Sequence, residues 1–210
     1  TPLTLMSHAV TEMEEEMPNN KYVHTLKRNT GKLSNMVNEL LEIHRMDVYT
    51  PQLKANYISV NSYVQSIYNE FKEWANQVAI TLQLTLPEQE VKLWLDEKYF
   101  SKILSNILSN AIRYSNAGST IRLSVSVGNL NEITPLYKNT FENTTRTLAG
   151  KQLIVKVEDE GVGLEKEALP EIFERFHRVE GLGQKRVGSG IGLSLVKSLV
   201  EAHRGGIIIS

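Results

Sequence analysis

The sequence predicts an α+β protein in two parts, a helical hairpin over residues 1–50 and an α/β sandwich over 51–210. Three observations predict it. Apolar residues recur at alternating steps of three and four as far as residue 40, that rhythm lapses around Pro51, and helical and strand-like patterns then interleave to the end. With 210 residues and 41% hydrophobic content, the chain has material for one ordinary core plus a smaller appended element.

In the first segment Leu3, Met6, Val10, Met13 and Met17 form the apolar seam of a helix that packs on another helix. Val23, Leu26, Thr30, Leu33, Val37 and Leu40 repeat the pattern, and Met17-Pro18-Asn19-Asn20 supplies the break between them. Two helices with so strict a seam expose much apolar surface. A second copy would cover it in a four-helix bundle, so a homodimer through the hairpin is expected. The alternative is a hairpin that lies on the following domain of its own chain.

Tyr49 to Tyr57, with Pro51 in the gap, reads as a linker and domain boundary. The periodicities then predict a helix over 60–77, strands over 78–86 and 91–95, and a second helix over 97–113. Strands over 121–127 and 153–157 alternate as a pair. The Asn- and Thr-rich stretch 128–151 between them is too long for a tight hairpin and is expected as a surface excursion. A glycine-rich turn, an apolar helix over 191–202 and a strand-like run over 206–210 follow, which suggests helices on one face of a mixed sheet.

The 23 Lys and Arg against 24 Asp and Glu leave a formal net charge of -1, so no global field draws the chain to nucleic acid or an anionic membrane. Without cysteine there is no disulfide framework and no thiolate metal site. No apolar run approaches the roughly 20 residues a membrane-crossing helix needs. Thr1-Pro2 opens directly on a helical pattern and the last residues fall inside a strand-like run, so both ends are expected to be cuts in a longer chain.

Three groups of residues could carry chemistry. Asn106, Asn110, Arg113 and Tyr114 share one stripe of the helix over 97–113 and its end, opposite Ile103, Leu104, Ile107, Leu108 and Ala111. Neutral carboxamide oxygens suit a Mg²⁺ already balanced by phosphates, and a cation one turn on could meet phosphate oxygens. A polar face with nothing bound would look the same. Second, the run Val157-Glu158-Asp159-Glu160-Gly161-Val162-Gly163 ends a strand on a carboxylate and two spaced glycines. Asp159 could accept a hydrogen bond from an exocyclic amine such as adenine's, or could be the solvated carboxylate of a turn. Third, Gly188-Ser189-Gly190-Ile191-Gly192-Leu193 opens onto an apolar helix, the general arrangement for cradling phosphate with backbone amides, or else a flexible lead-in. Lys185 and Arg186 just before it would suit a mobile flap over a polyphosphate.

In this order the groups resemble the catalytic core of sensor histidine kinases, over nearly the whole chain. NILSNAIRY at 106–114 is similar to the family's N box, 159–163 to its first glycine box, IFERFHR at 172–178 to its F box, and 188–193 to its second glycine box. The resemblance implies an ATP-binding domain of the histidine kinase and gyrase type (GHKL), with ATP and Mg²⁺ as ligands. It implies that Asn106 and Asn110 bind Mg²⁺, that Asp159 reads adenine, that Gly161 and Gly163 shape the adenine pocket, and that Tyr114 packs near the base. Gly188, Gly190 and Gly192 would face the phosphates, with Ser189 and Leu193 in the same loop. Phe173 and Phe176 would anchor a lid over ATP, and Arg178 is a weaker candidate contact.

Thr1-Pro2-Leu3-Thr4 is similar to the tail of the family's H box, whose phosphoacceptor histidine comes ahead of the first of those threonines, hence before residue 1. His8 lies off the apolar seam and lacks the surrounding motif. His8, His24, His44, His177 and His203 are read as ordinary surface or packing residues without metal-ligand spacing. Arg113 stands where the family usually has lysine, which keeps the charge but turns a point donor into a fork. The resemblance implies a response-regulator receiver domain as partner, no nucleic acid, a cytoplasmic position, and membrane attachment only through regions outside this chain. Two other readings stay open: a related ATPase of the group that includes gyrase, a heat-shock chaperone and mismatch-repair proteins, and a catalytically silent dimeric scaffold.

Overall fold

The structure, a computed structural model, describes residues 2–48, 52–129, 141–143, 150–177 and 190–209. The chain divides into two compact units, Thr1–Thr50 and Pro51–Ser210.

The first unit is two helices, α1 (Pro2–Glu16) and α2 (Lys21–Val48), joined by the turn at Pro18. Asn20 begins α2 by accepting the amide of Tyr22 on its side-chain oxygen at 2.9 Å. Lys27 and His24 both reach Glu14 across the hairpin. Of the apolar seam, Val10 and Val23 are buried, at 8% and 2% exposure. Met6, Met13, Met17, Leu26, Leu33, Val37 and Leu40 remain exposed.

The second unit begins with β1 (Asn56–Ser59), which runs directly into α3 (Val60–Gln77). Then come β2 (Thr81–Thr85), β3 (Lys92–Leu95) and α4 (Glu97–Tyr114). β4 (Thr120–Gly128), β5 (Phe141–Asn143) and β6 (Gln152–Glu158) follow, then two 3₁₀ turns at Lys166–Ala168 and Glu171–Phe173. The unit ends with α5 (Gly192–Ala202) and β7 (Ile207–Ile209).

Its central sheet has the order β2-β4-β6, with β2 parallel to β4 and β4 antiparallel to β6. Alternation along β4 turns Ile121, Leu123 and Val125 inward and leaves Arg122 exposed. Against that inner face lie Val60, Val64 and Ile67 of α3 and Phe100, Leu104, Leu108 and Ile112 of α4. Steps of four and three along α3, and of four along α4, put these side chains on one stripe, and the opposite stripe of α4 is thereby turned outward. Ile103 and Ile107, expected in the core, are half-buried, while Ile112, not named from the sequence, is fully inside.

Asp96 starts α4. Its Oδ1 accepts the amide of Tyr99 at 3.1 Å and its Oδ2 the amide of Lys54 at 2.8 Å, so one buried carboxylate caps the helix and ties down the segment entering the unit. Two short strands were not expected. β1 begins at the end of the predicted linker and pairs antiparallel with β3, Tyr57 opposite Trp94. β5 lies in the predicted excursion and pairs with β7, Phe141 opposite Ile209. The remaining 130–140 and 144–149 of that excursion lie outside the described residues. Among the described residues no helix is long and apolar enough to cross a membrane.

Candidate nucleotide site

α4 holds the polar residues singled out from the sequence. Asn106, Asn110, Arg113 and Tyr114 are all half-buried, where a ligand can still reach them. Arg113 sits in the last turn, where a cation is favoured by the helix dipole. Asn106 Nδ2 donates to the carbonyl of Lys102 at 2.9 Å, which orients the carboxamide.

The turn after β6 docks on the C-terminal end of this helix. Ser115, just past α4, bridges Gly161 in antiparallel fashion. The approach is so close that a Cβ on Gly161 would stand 2.9 Å from the Tyr114 carbonyl oxygen and 2.5 Å from Asp159 Oδ1, so only glycine fits. Asp159 is exposed and accepts the Gly161 amide on Oδ1 at 2.9 Å. Glu160 beside it is tied to β4, accepting from the Thr120 amide at 3.1 Å and from Arg122 at 3.2 Å. The two neighbouring carboxylates are thus distinguished: Glu160 braces the turn from the sheet side, and Asp159 closes the turn. Gly163 has φ +69, the left-handed region, with open space where a side chain would project.

The N-terminal end of the polar stripe meets α5. A Cβ on Gly192 would lie 2.6 Å from Asn106 Oδ1. Ile191, fully buried, occupies the N-cap position, and among the described residues no side chain caps α5. Its first amides therefore lack the usual side-chain acceptor, as an anion-binding helix start requires. Leu193 is half-buried on the first turn.

The F-box region divides in two. Phe173 is 5% exposed and packs with Ile172 in the 3₁₀ turn against α5, whereas Phe176 is 56% exposed at φ +63. Of the two rings only Phe173 lies in the core, and the left-handed backbone at 176 throws the Phe176 ring outward. Its amide donates to the Gly190 carbonyl at 2.9 Å, and Gly190, at φ +70, is so close that a Cβ would meet the Phe176 backbone at 2.9 Å. Arg178, Gly188, Ser189 and the cations at 185–186 lie outside the described residues.

The histidines engage in ordinary contacts: His8 with Glu12 at 3.2 Å, His177 with Glu171 at 3.1 Å, and His203 with the Leu199 carbonyl at 2.8 Å. A groove of about 490 Å³ between Phe173 and the Ser194, Lys197 and Glu201 side of α5 is lined by none of Asn106, Asn110 or Asp159. Sequence reasoning missed Ser115, whose hydroxyl is buried without a hydrogen-bond partner among the described residues, at the junction of α4 and the Asp159 turn. Its position directly after NILSNAIRY was the available signal.

A mixed three-stranded sheet under two helices, with a carboxylate-glycine turn and a glycine loop meeting the same helix, defines the class of an ATP-binding sandwich. The family described as histidine kinase-, DNA gyrase B- and HSP90-like ATPase matches residues 95–210. Sensor histidine kinase WalK of Bacillus subtilis (strain 168) is 26% identical over 99% of the chain, and Sensor protein kinase WalK of Staphylococcus aureus is 25% identical over the same share. The chain spans only 32% and 46% of those two proteins. Among solved structures, the fold is shared with the Acinetobacter baumannii histidine kinase AdeS, at TM-score 0.61 and 19% identity over 96% of this chain and 84% of that one. It is also shared with full-length ShkA in complex with AMPPNP, at TM-score 0.67 and 20% identity over 96% of this chain and 40% of that one. The chain belongs to the histidine kinase-, DNA gyrase B- and HSP90-like ATPase family, and these relatives, matched over nearly its whole length, are sensor histidine kinases.

Proposed function

We propose that this chain is a kinase core in which residues 51–210 bind Mg·ATP and residues 1–50 form the dimerisation hairpin. The γ-phosphoryl passes to a histidine that the H-box resemblance implies ahead of Thr1, and from there to a receiver aspartate of a response regulator. One observation carries the reading. Gly161 meets α4 at Tyr114, and Gly192 meets it at Asn106, so the base-reading turn and the phosphate-facing loop bracket one polar stripe. Eight residues separate those contacts, about 12 Å of helix. The description of ShkA with AMPPNP supports a nucleotide as the ligand.

The residues fit Mg²⁺ and ATP. Asp159 uses Oδ1 on Gly161, which leaves Oδ2 to accept from the adenine amine. The carboxamide oxygens of Asn106 and Asn110 suit a hard cation. When bound, Mg²⁺ would neutralise charge on the phosphates, the start of α5 would add amide donors near Asn106, and Arg113 would supply a cation from the last turn of α4. Beyond that, phosphoryl transfer asks mainly for alignment of the imidazole nitrogen with the γ-phosphorus and exclusion of water.

The exposed seam of α1 and α2 supports a dimer, since a second hairpin would cover Leu26, Leu33, Val37 and Leu40. ATP as substrate supports a cytoplasmic position, with any membrane anchor in regions outside this chain.

Calorimetric titration with a non-hydrolysable ATP analogue, with and without Mg²⁺, tests the reading. Binding should strengthen with Mg²⁺ and weaken about tenfold or more in Asp159→Asn, where an ionised acceptor is lost. Absence of binding by the folded chain would favour a signalling scaffold. A longer chain carrying the H box should then form phosphohistidine; steady ATP hydrolysis without it would favour the gyrase and chaperone type of ATPase.

A further inference from the structure

We propose that Gly192 is a positioning residue for Asn106: it is glycine so that the Asn106 carboxamide can hold its metal-facing orientation, not so that phosphate can approach the loop. The inference rests on the Mg·ATP reading of the site. Asn106 Nδ2 is tied to the Lys102 carbonyl at 2.9 Å, on its own helix, which directs Oδ1 away from that carbonyl and toward the start of α5. There the missing Cβ of Gly192 would lie 2.6 Å from Oδ1 and 3.5 Å from Cγ of Asn106. Such a contact is far inside van der Waals distance, so a methyl at 192 must expel the carboxamide.

The contrast with Gly190, two residues earlier, sharpens the assignment. A side chain at 190 would strike the backbone of Phe176 and His177 at 2.9 to 3.0 Å, and φ +70 adds strain there. That glycine is required by the fold. At 192 the obstructing atom is the end of a flexible side chain, and φ is not in the left-handed region. Alanine at 192 is therefore relieved by rotating Asn106, with the backbone intact and the ligand oxygen displaced. Two glycines of one loop thus serve different neighbours.

A double-mutant cycle on this chain tests it, with Gly192→Ala, Asn106→Ala and the pair titrated with AMP-PNP in Mg²⁺ and in chelator. Each single variant should weaken Mg²⁺-dependent binding about 10-fold to 100-fold, the range for losing the support of a metal ligand, and leave binding in chelator unchanged. The double variant should be no weaker than Asn106→Ala alone. In nucleotide-free protein, the Asn106 side-chain amide signals should move in Gly192→Ala. Multiplying losses in the double variant, or equal loss in chelator, would overturn the inference by showing that residue 192 meets the phosphates itself. If Gly192→Ala fails to fold, the double variant should recover folding, and failure to recover overturns the inference as well. Wild-type chain that binds no nucleotide at all would instead sink the Mg·ATP reading beneath it.

Discussion

The hairpin and the α/β unit carry apolar patterns of similar regularity, yet they end differently. In α4 the stripe of Phe100, Leu104 and Leu108 meets a sheet and another helix and is buried within one chain. In α2 the stripe of Leu26, Leu33, Val37 and Leu40 stays 37–47% exposed within its own hairpin. Two helices side by side leave about half of each apolar face without a neighbour, whereas a sheet backed by helices closes its core on itself. Periodicity therefore reports that a face wants cover, and the architecture around it decides whether the same chain can supply it.

Four experiments would break or sharpen this contrast. The largest effect is expected at the closed core. Leu104→Ala, at a position with no exposure, should cost about 2–5 kcal/mol in denaturant unfolding of the 51–210 unit. Leu33→Ala, at 47% exposure, should leave that transition unmoved; an equal shift would mean that the two units unfold as one. Next is the cap. Asp96→Ala strands the amides of Tyr99 and Lys54 and should cost about 1–3 kcal/mol, read in the same transition. Loss confined to the hairpin signal would contradict it.

Smaller in free energy but decisive for assembly, Leu33→Glu with Val37→Glu should shift the chain from dimer to monomer in sedimentation. The folded α/β unit should persist, because charge at a packed seam destroys only the contact that needs it. A dimer that survives the pair of substitutions would have its interface elsewhere. The smallest effect concerns acid. The hydrogen bond from Lys27 holds the Glu14 carboxyl below its ordinary range, so the stabilisation is present above that range and lost as pH falls through the native value. Hairpin helicity should weaken slightly on acidification, and Glu14→Gln should remove that dependence. An unchanged acid profile in the variant would show that Glu14 is not its source.

The long helices were legible from sequence because their signal is local: 60–77 was read as observed, and 97–113 fell one residue short of the end of α4. β1 and β5 were not, since segments of four and three residues offer too little alternation to separate from a linker or a loop. They become strands only because β3 and β7 lie alongside. In the site, Asn106, Asn110 and Asp159 stood out by chemistry and spacing. Ser115 did not, because a buried hydroxyl has no pattern of its own.

The sequence by itself determined the α+β class, the amphipathic faces of α3 and α4, and the order of the motifs along the chain, all of which depend on which residues follow which. Only the tertiary structure decided that Phe173 goes inward while Phe176 goes out, and that Gly161 and Gly192 meet α4 at the two ends of its polar stripe. Those outcomes turn on close approaches between segments far apart in the chain. Such an approach leaves a trace in the sequence only as a glycine whose neighbour is not yet known.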